Sequence, residues 1–304
     1  MGRNSSSTKK SNNRPTIVAI ILGLMFFSLM IVPAFLGRPD SGGVKISKAQ
    51  HMAHPPIDIK ALTIAVNPPN GVTLPVQYGQ MGPKLLEAGV IDVSALKQQT
   101  GQALTDQDLE ILTQGSQEAV VIDQQNASFL LNLFGGLGLA NQNPIFDKAP
   151  IHEALYWTLG RKPGSDLFSS TAILKLSPDQ QARVEEVAKA VYRPCSDAAA
   201  LSPDNKYSIA MLGLLELMAS QNVSSAGMFS AAKQVNAFWF PKQTLEQAIF
   251  FVATQLQDYA NVDARLIVSR AYFSASGFRQ LHQWLKDNAM LGDEPEQEPN
   301  CKDD

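Results

Sequence analysis

Apolar and polar positions alternate along this chain in three distinct ways. The longest uninterrupted apolar run is residues 16–37, TIVAIILGLMFFSLMIVPAFLG, which contains no charge. About 20 apolar residues at 1.5 Å rise cross a bilayer core of roughly 30 Å, and only a helix satisfies its backbone there. The run therefore predicts a transmembrane anchor. A cleaved signal peptide would have a shorter core of about 7–15 residues followed by a small-x-small site, and Ala34-Phe35-Leu36-Gly37 does not match that site. Arg3, Lys9, Lys10 and Arg14 precede the run, and no acid comes before Asp40. The positive-inside rule then leaves residues 1–15 in the cytoplasm and sends the rest outward.

Residues 38–56 read as a juxtamembrane linker rich in Gly, Ser and Pro. Beyond it, residues 57–66 and 72–78 read as two β-like runs around Pro68-Pro69-Asn70-Gly71, a hairpin in which Pro75 confines the second strand to an edge. From Pro83 the period becomes helical, with Gly89 as a stop. Asp92 and Thr105 stand as N-caps, and Asp108 follows Thr105 at capping-box spacing. Residues 118–123 form a short β-like interruption, and 126–139 a strongly apolar helix. Residues 151–159 suggest a short apolar helix or turn, and 161–165 a surface loop.

Ser177-Pro178-Asp179-Gln180 combines an N-cap, Pro at the first helical position and a back-bonding Gln. Further helices are expected over 207–221, 225–240, 242–259 and near 276–291. Residues 292–304 form an acidic tail whose composition favours disorder. The predicted fold class is mainly α: one N-terminal transmembrane helix, then an extracytoplasmic multi-helix domain over 57–291 with a small β-hairpin element.

Composition narrows the function classes. Lys plus Arg number 25 against 28 Asp plus Glu, a net charge of −3, which excludes a strongly basic nucleic-acid binder. Two cysteines in 304 residues exclude a disulfide-dense scaffold and any four-thiolate cluster. Cys195 and Cys301 would face an oxidising compartment, so a disulfide is allowed if their Cα atoms come within about 7 Å; two free thiols are the plainer reading.

The remaining constellations are weak. His51-Met52-Ala53-His54 offers two imidazoles and a thioether that suit copper, but on a flexible linker they lack further ligands. His152-Glu153-Ala154-Leu155-Tyr156 has Tyr where a zinc protease helix needs its second His. Gly135-Gly136-Leu137-Gly138 lacks the third glycine of a dinucleotide fingerprint, since Asn141 occupies it, and reads as close helix packing. His282 falls at helical spacing among apolar residues. Phe238, Trp239, Phe240, Phe250 and Phe251 read as core aromatics.

Four stretches carry a family resemblance: LPVQYGQMGPKLLEAGVID (74–92), FLLNLFGGLGLANQNPI (129–145), WTLGRKPG (157–164) and AMLGLLELMASQ (210–221). They resemble a group of bacterial membrane-anchored helical proteins with no established activity, and the likeness spans nearly the whole outer domain. Fuller members of that group place a Cys-Cys pair after Arg-Pro, then a Pro-Asp-Cys-Asn-His-Gly loop before the last of these helices. Here Arg193, Pro194 and Cys195 match, and so do Pro203 and Asp204. Ser196 replaces the second Cys, Asn205 the third, and Tyr207 the His. Three thiolates and an imidazole on one loop would suit a soft metal or thiol chemistry. A lone thiol beside a hydroxyl, an amide and a phenol does not, so the resemblance implies a degenerate site.

The expectation is a membrane-anchored extracytoplasmic interaction or structural module without catalysis or cofactor. Its partners would be the bilayer through residues 16–37 and a protein outside the cytoplasm, with no nucleic acid. The alternative is a Cu- or Zn-binding or thiol-redox protein in which Cys195, with His152, keeps an altered site.

Overall fold

A computed structural model of the chain describes residues 57–100, 104–148, 157–202, 205–255 and 257–291. The predicted anchor, the linker with His51 and His54, His152, Asp204 and the tail with Cys301 lie outside the described residues. The described residues all belong to one of the two units into which the chain divides, residues 43–304. Among them no helix is long and apolar enough to cross a membrane.

The described chain is mainly helical, with one small antiparallel sheet. Its first element corrects the predicted hairpin. Residues 57–66 are not a strand: Ile59–Val66 is a helix, α1, capped by the Asp58 carboxylate accepting from Ala61 N at 2.9 Å. Leu62 and Val66, four apart, bury one stripe, while Ile59 and Ile64 stay exposed. Helical spacing and a local cap outweigh the β-branched content. The strand that does form, β1 (Val72–Gly79), pairs instead with β2 (Ser116–Ile122). Register runs Val72 to Ile122, Thr73 to Val121, Gln77 to Ala119 and Gly79 to Ser116, with a shift between Thr73 and Gln77. Pro75 lies inside that shifted stretch, where its missing N–H disturbs no regular ladder. Leu74, Val76 and Tyr78 alternate into the core. The Gln221 side chain acts as a substitute strand for β1, accepting from Gln77 N at 2.9 Å and donating to Gln77 O at 2.8 Å.

Three short helices follow the local signals. α2 (Met81–Glu87) stops before Gly89, whose φ of +71° favours glycine. α3 (Val93–Thr100) starts on Asp92, whose Oδ1 accepts from Ser94 N and Ala95 N. α4 (Asp106–Thr113) carries the predicted capping box between Thr105 and Asp108.

The centre of the domain is the pair α5 (Ala127–Ala140) and α8 (Lys206–Ser220), the most extensively contacting helices. All of α5 except Ser128 is buried, and α8 is buried continuously from Ser208 to Ala219. A helix that is apolar all round belongs in the middle of a core rather than at its surface. Gly138 and Gly213 face one another where these helices cross: a Cβ on Gly138 would collide with Ile209 O, and one on Gly213 with Phe134 O. The glycine-rich run is thus a packing device, as its sequence suggested.

The remaining helices wrap this pair. α6 (Gly164–Leu167) begins inside the loop expected at 161–165. α7 (Pro178–Ala188) carries the predicted capping box between Ser177 and Gln180 and packs on α8. Ser177→Ala should therefore cost about 1 kcal/mol with an unchanged denaturant slope, measured by urea unfolding. α9 (Ser225–Trp239) packs on α5, α7 and α8. α10 (Pro241–Gln255) packs on α1 and α9. Two one-turn helices that the periodicity did not reveal, α11 (Ala264–Ile267) and α12 (Arg270–Phe273), lead into α13 (Ala275–Asp287), which packs on α10 and α12. Phe238, Trp239, Phe240, Phe250 and Phe251 are all buried, as expected of core aromatics.

Candidate functional site

The segment joining α7 to α8 carries the residues singled out by sequence. Arg193 and Ser196 form a local antiparallel bridge, and Ser196 Oγ accepts from Ala198 N at 3.0 Å. Between them Cys195 is half-buried and disulfide-bonded, which corrects the plainer expectation of a free thiol. Asn205 is the N-cap of α8: its Oδ1 accepts from Ser208 N at 3.1 Å, and Ser208 Oγ accepts from Asn205 N at 3.2 Å. The Tyr207 ring lies 4.7 Å from that of Phe240 and 6.1 Å from that of Trp239, edge-on to the latter.

Each of these side chains is therefore committed to holding the fold. The cap uses the Asn205 acceptor and the disulfide uses the Cys195 sulfur. Tyr207 fills an aromatic cluster that continues through Phe240 to Phe273, 6.1 Å away. Among the described residues, no three His, Cys, Asp or Glu side chains converge in an arrangement that could hold a metal ion.

A small cleft of about 10 Å³, partly open to solvent, lies beside this segment. Val191, Arg193, Tyr207, Ser208, Met211 and Asn236 contribute to its lining, whereas Cys195 and Asn205 do not. Arg193 is 3% exposed, and its Nη1 donates to Ala198 O at 3.1 Å. Burial pushes its pKa down to about 10, which still leaves it charged at neutral pH. Ligand pockets run to about 300–1,000 Å³, so this cleft suits water or a small ion rather than an organic substrate.

Two buried ionisable groups went unnoticed in the sequence. Glu216 lies at 0% exposure in the middle of α8. Asn141 Nδ2 donates to its Oε2 at 3.0 Å, and Asn143 Nδ2 makes a short bond to its Oε1. Both amides are fixed in orientation from behind. Leu174 N donates to Asn141 Oδ1 at 2.8 Å, while Ile145 N and Gln181 Nε2 donate to Asn143 Oδ1 at 3.0 and 2.9 Å. The wiring thus supplies donors to both carboxyl oxygens. Burial outweighs these bonds and pushes the pKa up to about 8. The network ties the loop after α5, and through it residues 171–174, to the central helix. Its only advance signal was a single acid inside an otherwise apolar helical run.

Lys233 on α9 is 4% exposed, and its Nζ donates to Tyr259 O at 2.7 Å and Val262 O at 3.2 Å. It also sits 4.4 Å above the Tyr259 ring. It acts as a staple for the turn after α10, and burial pushes its pKa down to about 8. His282, read as a packing or surface histidine, is partly buried with Nδ1 2.7 Å from Glu246 Oε2. No protein-family model, no curated protein and no solved structure matches this chain.

Proposed function

We propose that this chain is a single-pass membrane protein whose helical domain works outside the cytoplasm as an interaction or structural module without catalytic chemistry. The observation that carries the reading is the use of the residues in the α7–α8 segment. Cys195 is in a disulfide, Asn205 caps α8 and Tyr207 packs among aromatics. The groups that would ligate a metal or react are occupied in stabilising the domain. A disulfide persists in oxidising compartments. That agrees with the topology expected from the uncharged run at 16–37 and the basic residues before it.

Protease added to intact spheroplasts tests the topology on the full chain. The expected result is digestion of the domain from outside, leaving a short N-terminal membrane fragment; digestion only after lysis would overturn it. Elemental analysis of the purified full chain tests the rest. A stoichiometric Cu or Zn, lost on Cys195→Ala, would replace this reading with the metal-binding alternative.

A further inference from the structure

We infer that the outward side of α1 rests on the anionic surface of the bilayer that holds the anchor, an inference that depends on the membrane-anchored reading proposed above. Among the described residues, the large apolar side chains that stand exposed are Ile59 and Ile64, at 43% and 50%, and both belong to this one helix. Leu62 and Val66 bury its inward stripe, where α1 packs on α10 and on the turn Tyr259–Asn261. At about 100° per residue, Ile64 projects from the side opposite that stripe. Lys60 lies one turn before it and Ala61 and Ala65 lie alongside, while Ile59 closes the N-terminal end; all are exposed. The exposed part of α1 is thus apolar with one base and no acid, the make-up of a helix that lies in a membrane interface.

The connection to the anchor identifies the occupant. The uncharged run ends at residue 37 and α1 begins at Ile59. The chain between them, about 20 residues, spans at most about 70 Å even when fully extended. Contact with the same bilayer is then intramolecular and needs little affinity of its own, which suits two isoleucines and a lysine. A second copy of the chain would need about 800 Å² from each partner. The eight residues of α1, about 12 Å long, do not offer that area.

Charge selects the lipid. Residues 41–57, which lead to α1, carry Lys45 and Lys48 and no acid, and Lys60 follows on the helix itself. The acids beside α1 are Asp58, whose carboxylate accepts from Ala61 N at 2.9 Å, and Asp258, exposed just before the turn that packs on α1. The isoleucines therefore supply the contact, and the bases favour anionic headgroups.

The test uses the full chain reconstituted into vesicles of phosphatidylglycerol and phosphatidylcholine, treated with a membrane-impermeant reagent that acylates amines. Mass spectrometry reads acylation of Lys60 relative to Lys189, an exposed lysine at the end of α7. Both lysines belong to one domain, so vesicle orientation cancels. Lys60 should react about fivefold more slowly than in the Ile59→Ser, Ile64→Ser variant in the same vesicles. That protection should shrink in phosphatidylcholine alone and in concentrated salt. Urea unfolding of both proteins should give nearly the same midpoint, since both isoleucines are exposed, which separates a lost contact from a lost fold. Flotation on a density gradient reads the anchor by itself, and both proteins should float. A chain that floats with Lys60 as reactive as in the variant overturns the inference and leaves the anchor standing. Lysine cross-links joining Lys60 of two chains overturn it in favour of a second copy. Protection unchanged in phosphatidylcholine alone overturns the choice of an anionic surface. Flotation lost in the double variant would instead overturn the anchor and leave α1 as the membrane contact.

Discussion

Replacing Glu216 by Gln is expected to flatten a fall in stability that the native chain shows between pH 5 and pH 8. The folded pKa is raised to about 8, above the ordinary carboxylate value of 4.5. Between those values the folded state holds a proton that the unfolded chain has released. The contribution is therefore complete below about pH 4.5 and disappears as pH rises through 8, at about 1.4 kcal/mol per pH unit. The carboxyl's hydrogen-bond partners are the neutral amides of Asn141 and Asn143, so no cation within that network offsets the burial.

Gln carries no proton to lose, but its amide nitrogen would face one of those two Asn donors. The variant should thus be less stable at pH 5 by about 1–3 kcal/mol; since the native chain loses about 1.4 kcal/mol per pH unit, the two curves should cross about one to two units higher, with the variant the more stable near pH 8. Urea unfolding of both proteins from pH 5 to 8.5 measures this. Parallel curves would show that the buried carboxyl does not titrate in this range.

Gly213→Ala is expected to cost about 3 kcal/mol, the upper end of what overpacking a core by one methyl does. The new Cβ would land on backbone, colliding with Phe134 O and approaching Gly138 N. Backbone in the middle of two fully buried helices cannot swing aside as a long side chain would, so the helices must separate and lose packing along the crossing. Gly138→Ala meets the same obstacle from the other side, at Ile209 O and Gly213 N. Gly79→Ala serves as the comparison. Its φ is +57° but no atom lies within 4 Å of the added methyl; only the left-handed backbone is penalised, by about 1 kcal/mol. If chemical denaturation gives Gly213→Ala and Gly79→Ala the same loss, the close crossing of α5 and α8 is not a main source of stability.

These two sites mark where a linear reading runs short. The helix starts at Asp92, Thr105 and Ser177 are legible because a cap is written within four residues of itself. The apolar helix at 126–139 is legible because its length and uniform hydrophobicity leave no alternative. Residues 57–66 mislead because β-branched residues and a following Asn-Gly outweigh a two-residue buried stripe and an Asp cap. The partner of β1 escapes notice because it lies beyond α2, α3 and α4, and nothing local specifies a pairing at that distance. The candidate loop is visible in the chain. Whether its side chains are available for chemistry depends on Phe240, Trp239 and Ser208, and on a disulfide.

What the sequence determined by itself was local and compositional: an uncharged run long enough for a bilayer, a mainly helical body, its caps, and the identity of its core aromatics. Each follows from propensity, period and hydrogen bonds that close within a turn. What only the tertiary structure decided was which polar residues lost their water. Glu216, Lys233 and Arg193 are buried, which a linear reading does not establish. Their burial, and the shifted protonation that follows, arise because helices distant in sequence cover them, and desolvation is a property of the packed whole.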